Sequence, residues 1–137
     1  DRLKELYPDV TPINIKVTPN WLDNFDLSSY DYVLDAIDDF DAKIALIKKA
    51  YPKIISSMGS AKKVDPTKIE ISHIWKTHGD KFTSKIRYRL RKDKFSKKVP
   101  VVFSSEIAKC KEKGSFVAVT GAFGLAMCSF VINKLQE

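Results

Sequence analysis

The stretch "YVLDAIDDFDAKIALIKKAYPKIISSM", residues 32–58, decides the fold. Its opening, YVLDA at 32–36, is a nearly continuous apolar run and reads as a strand buried on both faces, as strands of parallel sheets are. Asp39 or Asp41 then caps a helix over 42–51, in which Ile44, Leu46, Ile47 and Ala50 form one apolar stripe. Pro52 stops that helix, and KIISSM at 53–58 is the next strand, closed by Gly59. Strand, helix, strand in this order is the unit from which parallel α/β sheets are built.

Outward from this unit the chain supplies further elements of the same class. INIKV at 13–17 alternates at period two and reads as a short strand, and KIEISHI at 68–74 reads as an edge or half-buried one. Residues 80–94 place Phe82, Ile86 and Leu90 four apart, which makes one apolar helix face among seven basic residues. VPVVFSS at 99–105 is another apolar strand, and an apolar helix is expected over 116–135. The uncharged run from Phe116 to Ile132 is seventeen residues long and contains Gly121 and Gly124, so a buried or interface helix is expected there rather than a membrane anchor. No repeat or low-complexity linker breaks the 137 residues, which suffice for one hydrophobic core.

Charge is unevenly laid out. The net charge is +7, yet residues 1–41 carry ten acidic against three basic side chains, and residues 42–137 carry seven against twenty-one. An acidic front and a basic back suit a protein that handles a metal-bound nucleotide and a polyanion; a solvated lysine-rich surface is the plainer reading. Cys110 and Cys128 form neither a disulfide framework nor a CxxC pair, which excludes a four-cysteine zinc site and suits a reducing, cytoplasmic setting. No charged segment followed by an apolar one marks a secretory signal.

The acidic stretch sits at the carboxyl end of a strand, the edge of an α/β sheet where ligands bind. Asp39 and Asp41 need no role beyond starting the helix, where carboxylates meet the positive end of its dipole. Asp35 and Asp38 are the candidates for holding Mg²⁺ beside a nucleotide triphosphate. Arg87, Arg89 and Arg91 are candidates for phosphate contacts, against the alternative of a solvated helix face; Tyr88 alone among them gives no stacking platform. His73 and His78 lack ligand neighbours and read as packing or surface residues. Cys110 lies among lysines that favour its thiolate but has no paired base, and Cys128 is expected in the core. None of the five glycines, Gly59, Gly79, Gly114, Gly121 and Gly124, forms a phosphate-cradling loop.

Three longer segments carry a family likeness. "YDYVLDAIDDFDAKIALI" resembles the DxxDN segment of the ThiF/MoeB/HesA superfamily, relatives of ubiquitin-activating enzymes. "SSMGSAKKVDPTKIEISHIWKT" followed by "KIRYRLRK" is similar to the branch of tRNA threonylcarbamoyladenosine dehydratases, as is the closing "GSFVAVTGAFGLAMCSFVINKL". The resemblance implies the carboxyl-terminal part of a Rossmann-like ThiF-type α/β fold, a mixed, mostly parallel sheet flanked by helices. Residues 1–137 would be one portion of a single domain whose amino-terminal nucleotide-binding half is absent. It implies ATP and Mg²⁺ as cofactors, no zinc, and activation of a carboxylate as an acyl-adenylate, which in this branch then cyclises on tRNA. Asp38 matches the second aspartate of DxxDN, beside nucleotide and metal; Asp35 matches the first, and Lys43 the basic position that supports the site. A homodimer is implied, with no membrane. The alternatives are activation of a sulfur-carrier or ubiquitin-like protein, or a non-catalytic binding fragment. Departures are Asp39 for the asparagine, Lys62 where relatives often carry glycine, and His73 in place of an acidic residue.

Overall fold

A computed structural model describes residues 2–108 and 114–137. Two short helices, α1 (Arg2–Leu6) and α2 (Pro19–Asn24), precede strand β1 (Val33–Asp35), helix α3 (Phe40–Ala50) and strand β2 (Ile54–Ser57). Strand β3 (Ile69–His73), helix α4 (Lys81–Lys92), strand β4 (Pro100–Ser104) and helix α5 (Val117–Gln136) follow. The four strands form one sheet in the order β1-β2-β4-β3, with β1, β2 and β4 parallel and β3 antiparallel to β4. This is the mixed, mostly parallel sheet of the expected class.

The 32–58 unit forms as read, with one correction. Asp39 is the cap of α3, its side chain accepting from the Ala42 N–H at 3.0 Å. Strand β1, however, is an edge of the sheet rather than buried on both faces: Leu34 is 44% exposed. The doubly buried strands are β2 and β4, where Ile54, Ile55, Val101 and Val102 have no exposed surface. A second correction concerns 13–17, which form no strand. Ile13 and Ile15 are exposed, and the Ile15 N–H bonds back to the Ile13 carbonyl at 3.1 Å in a tight turn. Five alternating residues make a strand only if a neighbouring strand takes up their backbone groups. Helix α2, unforeseen, is started by Thr18, which accepts from the Trp21 N–H, and by Pro19 in the first turn.

Helices α2, α3 and α4 cover one side of the sheet around Ile44, Ile47, Ile54, Ile86, Leu90 and Val101. On the other side α5 lays Val119, Phe123, Met127 and Val131, four apart, onto Ile55 and Val102. Its opposite side is open, with Leu125 75% exposed, and Val117, Ile132 and Leu135 exposed with it. Cys128 lies on that open side, not in the core as expected, because the buried stripe runs through Met127 one residue earlier. By length and composition α5 meets the measure of a membrane-crossing helix, but here a whole face is used to cover the sheet.

The two sides of α5 should respond differently. Phe123→Ala is expected to lower unfolding free energy by about 3–5 kcal/mol through the cavity it leaves. Leu125→Gln should change it by no more than about 0.5 kcal/mol. Urea unfolding followed by circular dichroism reads both.

Candidate functional site

A buried ion pair holds the carboxyl ends of the first two strands together. Asp35 ends β1 and Lys43 lies in the first turns of α3, and neither has exposed surface. The Lys43 ammonium donates to Asp35 Oδ2 at 2.7 Å, to the Ser57 carbonyl at 2.9 Å and to Ser56 Oγ at 3.3 Å, which uses all three of its protons. The Ser56 hydroxyl donates to the same Asp35 oxygen, and Asp35 Oδ1 accepts from the Ile37 N–H at 2.9 Å. Burial pushes the Lys43 ammonium below the ordinary lysine range, while the carboxylates of Asp35 and Asp38 pull it upward. Two of the three residues matched to the nucleotide site therefore turn inward and grip each other. They fix the turn that presents the third.

Asp38 is that third residue. It is exposed at a cleft of about 370 Å³ lined by Ile37, Asp38, Ser57, Met58, Gly59 and Asp80, among others. Its carboxylate has no hydrogen-bond partner among the described residues, and the buried Lys43 charge lies close enough to act on it. Behind it the cleft is built on one close approach: the Gly59 N–H donates to Asp80 Oδ2 at 3.2 Å, and a Cβ on Gly59 would stand 2.8 Å from both Asp80 oxygens. Asp80 also caps α4, accepting from the N–H groups of Phe82 at 3.2 Å and Thr83 at 2.9 Å and from the Thr83 hydroxyl. With Asp80 so occupied, Asp38 is the carboxylate left to face the cleft. No three metal-ligating side chains cluster among the described residues. One free carboxylate is not a cage of protein ligands, so a hard cation here would need most of its oxygen ligands from elsewhere.

The segment after Gly59 carries two lysines with different surroundings. Lys62 adopts φ +64°, the left-handed region that glycine enters without strain. Lys63, which the sequence reading did not single out, is buried and donates to the Ser104 carbonyl at 2.7 Å, tying this loop to the end of β4. Burial pushes its ammonium down, and Asp80 and Glu106 pull it up. Glu106 accepts in turn from the N–H groups of Val64 and Asp65, each at 3.0 Å.

The remaining candidates separate. Arg87 donates to the Thr77 carbonyl at 2.8 Å, Arg89 to Asp93 at 3.2 Å and to Asp41 at 3.5 Å, and the Arg91 guanidinium lies over Trp75. All three thus have partners within the chain, and the outward stripe of α4 is Lys81, Lys85, Tyr88 and Lys92, with Tyr88 70% exposed. His73 Nδ1 is buried without a hydrogen-bond partner among the described residues, and His78 meets the Phe103 ring edge-on. Cys110 lies outside the described residues.

No protein-family model matches the chain. It is 38% identical over 110 residues to the tRNA threonylcarbamoyladenosine dehydratase of Bacillus subtilis, covering 77% of this chain and 43% of that protein. Against the enzyme of the same name from Haemophilus influenzae it is 30% identical, covering 100% of this chain and 63% of that protein. The E. coli enzyme, TcdA, solved in complex with ATP, superimposes with a TM-score of 0.88 at 31% identity, over 98% of this chain and 60% of that one. The chain belongs to the tRNA threonylcarbamoyladenosine dehydratase branch of the ThiF-like superfamily. A further solved structure, TcdA (CsdL), gives a TM-score of 0.89 at 28% identity over 98% of this ThiF-type chain. The chain spans less than two thirds of the length of each of these relatives.

In this ThiF-type chain the ion pair should be worth more as a unit than either partner suggests. Lys43→Met is expected to cost about 3–5 kcal/mol of stability, because it strands a buried carboxylate, while Asp35→Leu combined with Lys43→Met recovers most of it. Chemical denaturation of the three variants checks this. Asp80→Ala should cost about 1–2 kcal/mol through the lost cap, read in the same assay.

Proposed function

We propose that this chain supplies the DxxD-bearing, carboxyl-terminal portion of an ATP-dependent adenylating domain that acts on tRNA. The observation that carries the reading is Asp38. It is an exposed carboxylate without a hydrogen bond among the described residues, held at the carboxyl edge of a parallel sheet by a buried ion pair and facing a cleft. That is where α/β folds bind nucleotides. The enzymes it resembles by name dehydrate threonylcarbamoyladenosine in tRNA, and two E. coli structures hold ATP or AMP.

In this reading Asp38 would hold Mg²⁺ beside the nucleotide phosphates, and the ion would supply charge neutralisation for attack of the substrate's carboxylate on the α-phosphate with pyrophosphate leaving. Asp35 and Lys43 hold the turn, and Lys43 adds positive charge behind it. The phosphate-cradling glycine loop is supplied by chain outside these residues. The open edge of β1 supports that arrangement, since parallel strands are rarely left with an uncovered side and Leu34 is half exposed. We extend the reading to a cytoplasmic homodimer, supported by the open apolar side of α5.

The test is ATP–pyrophosphate exchange by the protein that carries this chain, with tRNA containing threonylcarbamoyladenosine. Asp38→Ala is expected to cut exchange by roughly 100-fold or more, with the unfolding transition unchanged. Exchange at the original rate removes Asp38 from the site. Exchange stimulated by a carrier protein and not by tRNA transfers the site to protein activation.

A further inference from the structure

The Asp38 cleft lies at one edge of the sheet; a second concavity opens at the other. Trp75, Arg91, Lys94, Phe95 and Ser96 line about 410 Å³ there. The topology places it. His73 pairs with Pro100, the first residue of β4, so Trp75 and Lys97 sit at the amino-terminal edge of the parallel strands. Helix α4 runs from its cap Asp80 at the cleft to Lys92 at this concavity, about 18 Å at 1.5 Å per residue.

Each wall is held for a physical reason. The Trp75 indole N–H donates to the Lys97 carbonyl at 2.9 Å, so its polar edge is taken and the ring is what it presents. The Arg91 guanidinium lies 5.3 Å from the centre of that ring. After α4 the chain closes with the Lys94 N–H on the Arg91 carbonyl and the Phe95 N–H on the Leu90 carbonyl, both at 2.9 Å, the pattern that ends helices with a left-handed residue. Lys94 is that residue, at φ +55°, where glycine fits without strain. A lysine kept there places an ammonium at the rim despite the backbone cost. The nearest acid in sequence, Asp93, is paired with Lys48 and Arg89, and no acidic residue lines the concavity.

A half-buried aromatic ring with a guanidinium over its face and an ammonium beside it matches a base joined to a phosphate, since bases stack on guanidinium planes as well as on rings. We propose that this concavity takes one unpaired nucleotide of an RNA chain, its base beside the Trp75–Arg91 pair and its phosphate at Lys94. The choice of RNA rests on the proposed function; the aromatic and cationic walls do not.

The probe is a single-stranded RNA oligonucleotide titrated into the chain. The sequence has two tryptophans, so in a Trp21→Phe variant the fluorescence belongs to Trp75. RNA is expected to quench it, and Trp75→Leu to weaken RNA affinity about tenfold. Lys94→Gly removes the cation and relieves the left-handed strain. It should reduce the slope of log affinity against log salt by roughly one, with the thermal midpoint equal or higher. That outcome cannot be mistaken for misfolding. RNA bound without quenching, an unaltered salt slope in Lys94→Gly, or no RNA bound at all overturns the site. Displacement by polyglutamate as effective as by RNA reassigns it to an acidic peptide and also overturns the proposal. None of these results touches the Asp38→Ala exchange assay, which decides the adenylating function separately.

Discussion

The buried pair of Asp35 and Lys43 is the interaction on which the rest of this chain depends. Removing two charges from water is costly, and it is tolerated only where each has its full set of partners. Here the ammonium finds a carboxylate, a hydroxyl and a carbonyl, and the carboxylate finds two further donors. Those partners come from the end of β1, the first turns of α3 and the end of β2. One ion pair thereby fixes the geometry of the whole strand-to-helix turn. Asp38 sits between the Ile37 N–H, which Asp35 holds, and Asp39, which caps the helix. Its position is set from both sides, so its carboxylate needs no bond of its own and is left available.

Helix α4 extends this ordering across the sheet. At its start Asp80 answers three backbone N–H groups, one of them from Gly59 on another segment, and so closes the back of the cleft. At its end the left-handed Lys94 turns the chain so that Phe95 packs against Tyr51 at 6.0 Å and the basic rim opens beside Trp75. The same helix carries a carboxylate to the acidic edge and cations to the other.

Comparison with the sequence reading shows where local pattern suffices. The strand-helix-strand unit, the cap at Asp39, the apolar spacing of α4 and the place of Asp38 in the strand-to-helix turn were legible because each depends on residues within one or two turns of one another. The misreadings have the opposite character. Residues 13–17 alternate like a strand but meet no neighbour; β1 looks doubly buried but lies at an edge; Cys128 is surrounded by apolar residues in sequence yet lies one position off the buried stripe of α5. Lys63 was not singled out, because only the Ser104 carbonyl at the end of β4, 41 residues on, distinguishes it by accepting its hydrogen bond.

By itself the sequence determined the element types, the family likeness and the carboxylate at the strand end, because helix periodicity, capping and turn chemistry are local. Only the tertiary structure decided that Asp35 and Lys43 face inward to each other, that Gly59 must be small because Asp80 lies against it, and that Trp75 and Arg91 share a wall. The reason is common to all three. Burying a charge, excluding a side chain and stacking a cation on a ring each depend on a partner brought from a distant part of the chain, and no local pattern records which partner that is.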